Sequence, residues 1–162
     1  MQSIAVETKI AAPPDRCFLL SLSIDLHMAT TAQTGERAIA GVTHGLMGLG
    51  ETVTWQGRHF GLMLTHETKI TKYERPQYFQ DVMLKGVFRS FTHDHHFDLS
   101  NDGGTIMRDK LQFTAPLGPL GWIAAQLILR RYLTRFLVER NATIKRVAEG
   151  PEDIYAPFLR GA

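Results

Sequence analysis

The stretch ETVTWQGRHFGLMLTHETKITKYERPQYFQDVMLKGVFRSFTHDHHFDLSNDGGTIMRDKLQF, residues 51–113, alternates apolar and polar side chains almost without interruption. A period of two marks strands with one buried face. Directly after it, residues 117–149 repeat apolar side chains at helical spacing. Trp122, Leu129, Leu133, Phe136, Leu137, Ile144 and Val147 share one stripe, with Arg140 inside it. Strands followed by one long C-terminal helix predict an α+β domain, a curved antiparallel sheet closed over that helix with room between the layers.

Working outward, residues 3–10 alternate Ile4, Val6, Thr8 and Ile10 against polar neighbours and read as a half-buried strand. Pro13-Pro14-Asp15 starts a short helix, broken into two near residues 21–23. Residues 34–41 read as a weak edge strand. The glycines of residues 41–50 lack the Gly-Lys-Ser/Thr ending of a phosphate loop. That segment is either a flexible connection or a lid whose Leu46, Met47 and Leu49 close a pocket mouth. Within the long stretch, strands are expected over 51–55, 61–73, 77–84, 87–99 and 105–115. They are separated by a bend at 56–60 and turns at Glu74-Arg75-Pro76, Lys85-Gly86 and 100–104. Without repeats or linkers, residues 1–150 read as one domain, and 151–162 as an extended surface tail.

A chain of 162 residues with 44% hydrophobic content can bury a substantial core. A formal net charge of +2 offers no field to hold nucleic acid. The lone Cys17, in an apolar helical run, excludes an intrachain disulfide and reads as a small core residue. The N-terminus lacks a signal-peptide pattern, and the most apolar run, residues 120–129, is too short to span a bilayer, so a cytoplasmic protein without membrane insertion is expected. A second apolar set on the long helix, Leu127, Ile128 and Val138, is a candidate surface for a second copy of the chain.

Hairpin arithmetic indicates which side chains meet. The turn at 101–103 sets His95 beside Asp109 and His93 beside Leu111. The turn at Lys85-Gly86 sets Asp81 opposite Ser90, and that at Glu74-Arg75 sets His66 near Met83 and Thr68 near Asp81. One interior face then carries His66, Asp81, His93, His95 and Asp109 among Trp55, Phe91, Met107 and other apolar groups, with Arg140 reaching in from the helix. Such a cluster can satisfy itself by hydrogen bonds. It can orient the polar end of a small apolar or amphipathic molecule. A His-Asp pair can also move protons near neutral pH. A fourth reading, a metal held by His93, His95 and Asp109, is set aside because His-X-His is frequent in strands by chance; no metal or other cofactor is expected. His27 and His59 are read as packing and bend residues, His44 as a loop residue, and His96 as facing solvent.

Several segments together resemble a bacterial branch of the START-like SRPBCC superfamily with polyketide cyclase/dehydratase-like and ligand-binding members. They are Gly45-Leu46-Met47-Gly48-Leu49-Gly50, Val53-Thr54-Trp55, Arg58-His59-Phe60-Gly61, Phe91-Thr92-His93-Asp94-His95 with Phe97, Pro116-Leu117-Gly118-Pro119-Leu120-Gly121, and Glu139-Arg140-Asn141. The resemblance implies a helix-grip fold: a seven-stranded antiparallel sheet around a long C-terminal helix, two short helices after the first strand, and a hydrophobic cavity. It implies no particular reaction and carries over no catalytic residues. The expected function is a small-molecule binding domain, with His66, Asp81, His93, His95, Asp109, Arg140, Trp55, Phe91 and Met107 contacting the guest. The alternative is a cyclase- or dehydratase-type enzyme using a His-Asp pair.

Overall fold

The computed structural model describes residues 1–115 and 128–160. Its strands are β1 (Gln2–Ile10), β2 (Arg37–Gly41), β3 (Thr52–His59), β4 (Leu62–Glu74), β5 (Tyr78–Lys85), β6 (Ser90–Leu99) and β7 (Thr105–Thr114). Its helices are α1 (Pro14–Leu22), α2 (Ile24–Thr30), α3 (Arg130–Ala148) and α4 (Glu152–Tyr155), the last followed by a 3₁₀ turn, Ala156–Leu159. The strands form one antiparallel sheet in the order β1-β7-β6-β5-β4-β3-β2. Chain neighbours pair from β2 to β7, whereas β1 lies beside β7. The α1–α2 segment therefore carries the chain from one sheet edge to the other.

Local chemistry sets these boundaries. Pro14 occupies the first turn of α1, where its missing N–H costs nothing, with Asp15 beside it. Ser23 adopts extended backbone and separates the helices; its hydroxyl accepts from the Leu26 N–H at 3.3 Å and caps α2. α1 buries Cys17, Phe18, Leu19, Leu20 and Leu22. Phe18, without exposed surface, meets the rings of Tyr73, Phe79 and Phe97 edge-on at 5.2, 5.5 and 5.5 Å. α3 buries Leu137, Arg140, Asn141, Ile144, Val147 and Ala148, a stripe at helical spacing. Ile128 and Val138 are exposed on its other side. Trp122, Leu127 and the 116–121 segment lie outside the described residues. Among the described residues no helix is long and apolar enough to cross a membrane.

The structure corrects several expectations. β3 runs through the supposed bend to His59, with the turn at Phe60 and Gly61, both at positive φ. β5 and β6 are not joined by a tight turn at Lys85-Gly86: their pairing stops at Val82 and Thr92, and the strands splay toward Gly86. Asp81 consequently lies opposite His93 rather than Ser90. Between β4 and β5, Thr68 pairs with Met83 and Ile70 with Asp81, a slip of two residues accompanied by two bulges in the pairing. A slip of two keeps each side chain on its face, so His66 and Thr68 still point inward. Residues 151–160 turn into α4 and a 3₁₀ turn rather than running extended. The Gly-rich loop is hydrogen-bonded to the helices. Its backbone bonds the α1–α2 junction through Ile24 N–H to Gly45 O (2.9 Å) and Met47 N–H to Leu22 O (3.1 Å). Asp25 accepts from the Gly45 N–H at 2.8 Å.

Phe18→Ala is expected to cost about 3–5 kcal/mol of unfolding free energy, because the surrounding rings cannot collapse into the vacated space. Urea denaturation followed by circular dichroism measures it; a loss within experimental error would show that α1 does not anchor the sheet.

Candidate functional site

A cavity of about 430 Å³ lies between the sheet and α3, within the size range of small-molecule sites. Its wall is largely apolar: Met47 from the Gly-rich loop, Trp55 from β3, Ile70 from β4, Phe88 and Phe91 around the splayed hairpin, and Leu133, Phe136 and Leu137 from α3. Among the residues expected at the site, Trp55, His66, Asp81, Phe91, His93, His95 and Arg140 line it. Met107 and Asp109 do not. Both are buried behind that wall, Met107 without exposed surface and Asp109 with 1%. Met107 touches the Ser21 hydroxyl through its sulfur at 3.8 Å.

Asp109 organises one polar pole. Its Oδ2 accepts from Asn141 Nδ2 at 2.6 Å. Its Oδ1 lies 3.0 Å from His93 Nε2 and 2.8 Å from His95 Nδ1. Neither approach is well aligned for a hydrogen bond, since two donors crowd one oxygen, so these contacts act mainly through charge. On the cavity side, His95 Nε2 donates to Asp81 Oδ2 at 3.0 Å, and His93 Nδ1 stands 3.9 Å from the same oxygen. The two imidazoles are thus held between two carboxylates. Arg140 Nη1 stands 3.7 Å from Asp109 Oδ1. It donates to Asn141 Oδ1 at 3.3 Å, and Arg140 Nη2 donates to the Ser21 carbonyl at 3.4 Å.

Burial would raise both carboxyls, but the adjacent imidazoles outweigh it: His95 and His93 hold Asp81 below the ordinary range, and His93 and His95 hold Asp109 well below it. Burial pushes His95 down, yet Asp109 and Asp81 raise it above the usual value. Burial and the neighbouring His95 lower His93. Burial also lowers His66, against the pull of Asp81. With His95 charged and His93 neutral, the negative charges of Asp81 and Asp109 balance the positive charges of His95 and Arg140. No net charge is then buried.

A second polar pole was not legible from the sequence. Glu36 Oε2 meets His27 Nε2 at 2.8 Å, and its Oε1 meets His59 Nε2 at 3.0 Å. His59 Nδ1 meets the Tyr132 hydroxyl at 2.6 Å. His27 also stacks on Trp55 at 4.1 Å, so it packs against the sheet as expected. All four residues line the cavity. They come from α2, the residue just before β2, the end of β3 and α3, and no local pattern links them. Asn141 was likewise missed as a site residue, although a polar residue beside Arg140 on a core stripe was a usable signal. His44 and His96 are exposed.

No protein-family model and no curated protein matches this chain. Solved structures do. The Zhui aromatase/cyclase from Streptomyces sp. R1128 is 14% identical with a TM-score of 0.73, over 91% of this chain and 93% of that one. TTHA0849 from Thermus thermophilus is 13% identical with a TM-score of 0.69, over 88% of this chain and 97% of that one. Ginseng major latex-like protein 151 from Panax ginseng is 14% identical with a TM-score of 0.63, over 92% of this chain and 98% of that one. Identities this low carry the fold alone. The chain shares the helix-grip fold of these structures: a seven-stranded antiparallel sheet curved around a long C-terminal helix.

The second pole makes a pH prediction. Burial would raise the Glu36 carboxyl, but hydrogen bonds from His27 and His59 hold it at about 2, below the ordinary 4.5. A depressed carboxyl stabilises the fold above its unfolded value and loses that contribution as pH falls through its folded value. Wild type should exceed Glu36→Gln by up to about 3 kcal/mol near neutral pH, with the gap closing between about 4.5 and 2. Denaturant titrations of both proteins across that range check it; a gap independent of pH would contradict the assigned ionisation.

Proposed function

We propose that this chain is a small-molecule binding module whose cavity holds one largely apolar guest with a hydrogen-bonding end. The observation that carries this reading is Arg140. Arg140 is 6% exposed and lies on the cavity wall, and among the described residues its guanidinium has only long contacts of 3.3, 3.4 and 3.7 Å. A buried guanidinium normally spends its donors at shorter range, so Arg140 retains donors for an acceptor on a guest. Asp81, His93, His95 and His66 supply the neighbouring polar contacts, and Trp55 and Phe91 the apolar ones. Asp109 and Met107 act from behind the wall, Asp109 by holding both imidazoles. Because the pole is already balanced in charge, a neutral carbonyl or hydroxyl fits it better than a second anion. The fold shared with an aromatase/cyclase and a latex-like protein supports a cavity-bearing scaffold and leaves the guest open.

The test compares 2-naphthol with naphthalene by fluorescence titration, beside native mass spectrometry of the purified protein. Wild type should prefer the hydroxylated compound about tenfold, and Arg140→Met should lose most of that preference while still binding naphthalene. No bound molecule in the purified protein together with no binding of either probe would reject the reading.

A second reading, an enzyme of cyclase or dehydratase type, is favoured by one observation. His93 Nδ1 faces the cavity side without a hydrogen-bond partner among the described residues, on an imidazole that burial keeps neutral. It would take a proton α to a carbonyl while Arg140 stabilises the enolate oxygen. Wild type should then speed deuterium exchange at the α-carbon of a bound aryl ketone, followed by NMR. His93→Gln should abolish the exchange and leave ketone affinity unchanged; equal rates with and without wild-type protein would remove this reading.

A further inference from the structure

We propose that Asp81, His93 and His95 form a site for one divalent transition-metal ion of the zinc type, open to the cavity. The pairing of β5 with β6 places Asp81 directly opposite His93, with His95 next on the same face. Asp81 Oδ2 is 3.0 Å from His95 Nε2 and 3.9 Å from His93 Nδ1, and the three donor atoms lie within 4.8 Å of one another. Two donors bound at about 2.1 Å to one ion can be no more than about 4.2 Å apart. Both separations from the carboxylate meet that limit, and the two ring nitrogens, within 4.8 Å of each other, reach it by closing at most about 0.6 Å.

The far side of each ring supplies the support that a ligating imidazole needs. His93 Nε2 and His95 Nδ1 both face the buried Asp109 Oδ1, at 3.0 and 2.8 Å, and Asn141 fixes the other oxygen at 2.6 Å. A carboxylate behind the ring draws the N–H to its own side, which leaves the opposite nitrogen a lone pair. A carboxylate oxygen and the inner edges of two imidazoles then converge on one spot at the wall, where a divalent ion would take the place of the proton that His95 donates to Asp81. Without an ion, that proton serves the contact of His95 with Asp81. It leaves His93 Nδ1 without a partner among the described residues, since 3.9 Å is beyond hydrogen-bond range. Unlike His93 Nε2, that atom is not fully buried, so its lone pair is open to an ion that enters from the cavity.

The donor set selects the ion. Two imidazoles and one carboxylate suit zinc, cobalt or ferrous iron, while magnesium and calcium require oxygen ligands. Three protein donors leave coordination positions open toward the cavity. The sequence suggested Asp109 as the carboxylate of such a set and gave no reason to expect an ion. The observed register moves Asp81 to the front, and the burial of Asp109 moves it to the supporting position. A bound ion takes the lone pair that the acid–base reading assigns to a substrate proton. Naphthol binding is scored separately, so neither result decides the other.

Chelator-treated full-length protein is titrated with zinc by calorimetry and with cobalt by absorption. One ion per chain and a raised thermal midpoint are expected. Asp81→Asn should weaken binding at least about 100-fold, and Asp109→Asn about 10- to 100-fold with the stoichiometry unchanged. His96→Gln, on the solvent face of the same strand, should bind as wild type does. If Asp81→Asn does not fold, histidine NMR of wild type decides: zinc should shift the ring signals of His93 and His95 and leave those of His27 and His59. No stoichiometric binding, a shift confined to other histidines, or full binding by a folded Asp81→Asn would overturn the proposal.

Discussion

Asp109 is the constraint on which the rest depends. Its carboxylate is 1% exposed, so it must find every partner within the protein. It finds them on two elements distant in sequence: His93 and His95 on β6, and Asn141 on α3. The ion pairs orient the two rings, and the Asn141 contact fixes how far α3 stands from β7. Removing any one partner would leave charge stranded in a medium that solvates it poorly.

That buried group explains why the cavity is polar on one side. Once Asp109 occupies one edge of both imidazoles, their other edges point toward the space beneath α3, where Asp81 meets them. An apolar filling would strand those atoms as well, so the wall keeps hydrogen-bonding capacity there. The opposite pole repeats the device with different residues: Glu36 is shared between His27 and His59, and Tyr132 completes the chain. Between the poles, Trp55, Phe91 and the apolar side of α3 contribute surface whose burial would favour any guest that fits.

The accuracy of the sequence reading varied with the loops. The turn after β6 is short and rich in Asn, Asp and Gly, and the expected pairings of His95 with Asp109 and His93 with Leu111 are those observed. Between β4 and β5 the pairing slips by two, with bulges, but parity survives, so the inward face was identified correctly. Between β5 and β6 the strands splay apart from Met83 onward, and a tight-turn count put Asp81 beside the wrong residue. The Lys85-Gly86 pair looks like a hairpin signal. Outward splay driven by cavity formation has no local signature.

Alternation along 51–113 and the helical stripe after it determined the architecture by themselves, because the two periods of 2.0 and 3.6 dictate which side chains can share a buried face. They also pointed to the polar residues of one pole, His66, Asp81, His93, His95 and Arg140, and to none of the other. Depth and distance belonged to the tertiary structure. Whether a side chain borders the cavity or supports it from behind, as with Asp81 and Asp109, depends on register across the sheet and on where α3 rests. Glu36, His27 and His59 come together only because β2 lies at the far edge of a curved sheet, beside α2. Periodicity records direction along one element, whereas a site is made of separations between elements, and those are set by loops, bulges and packing acting together.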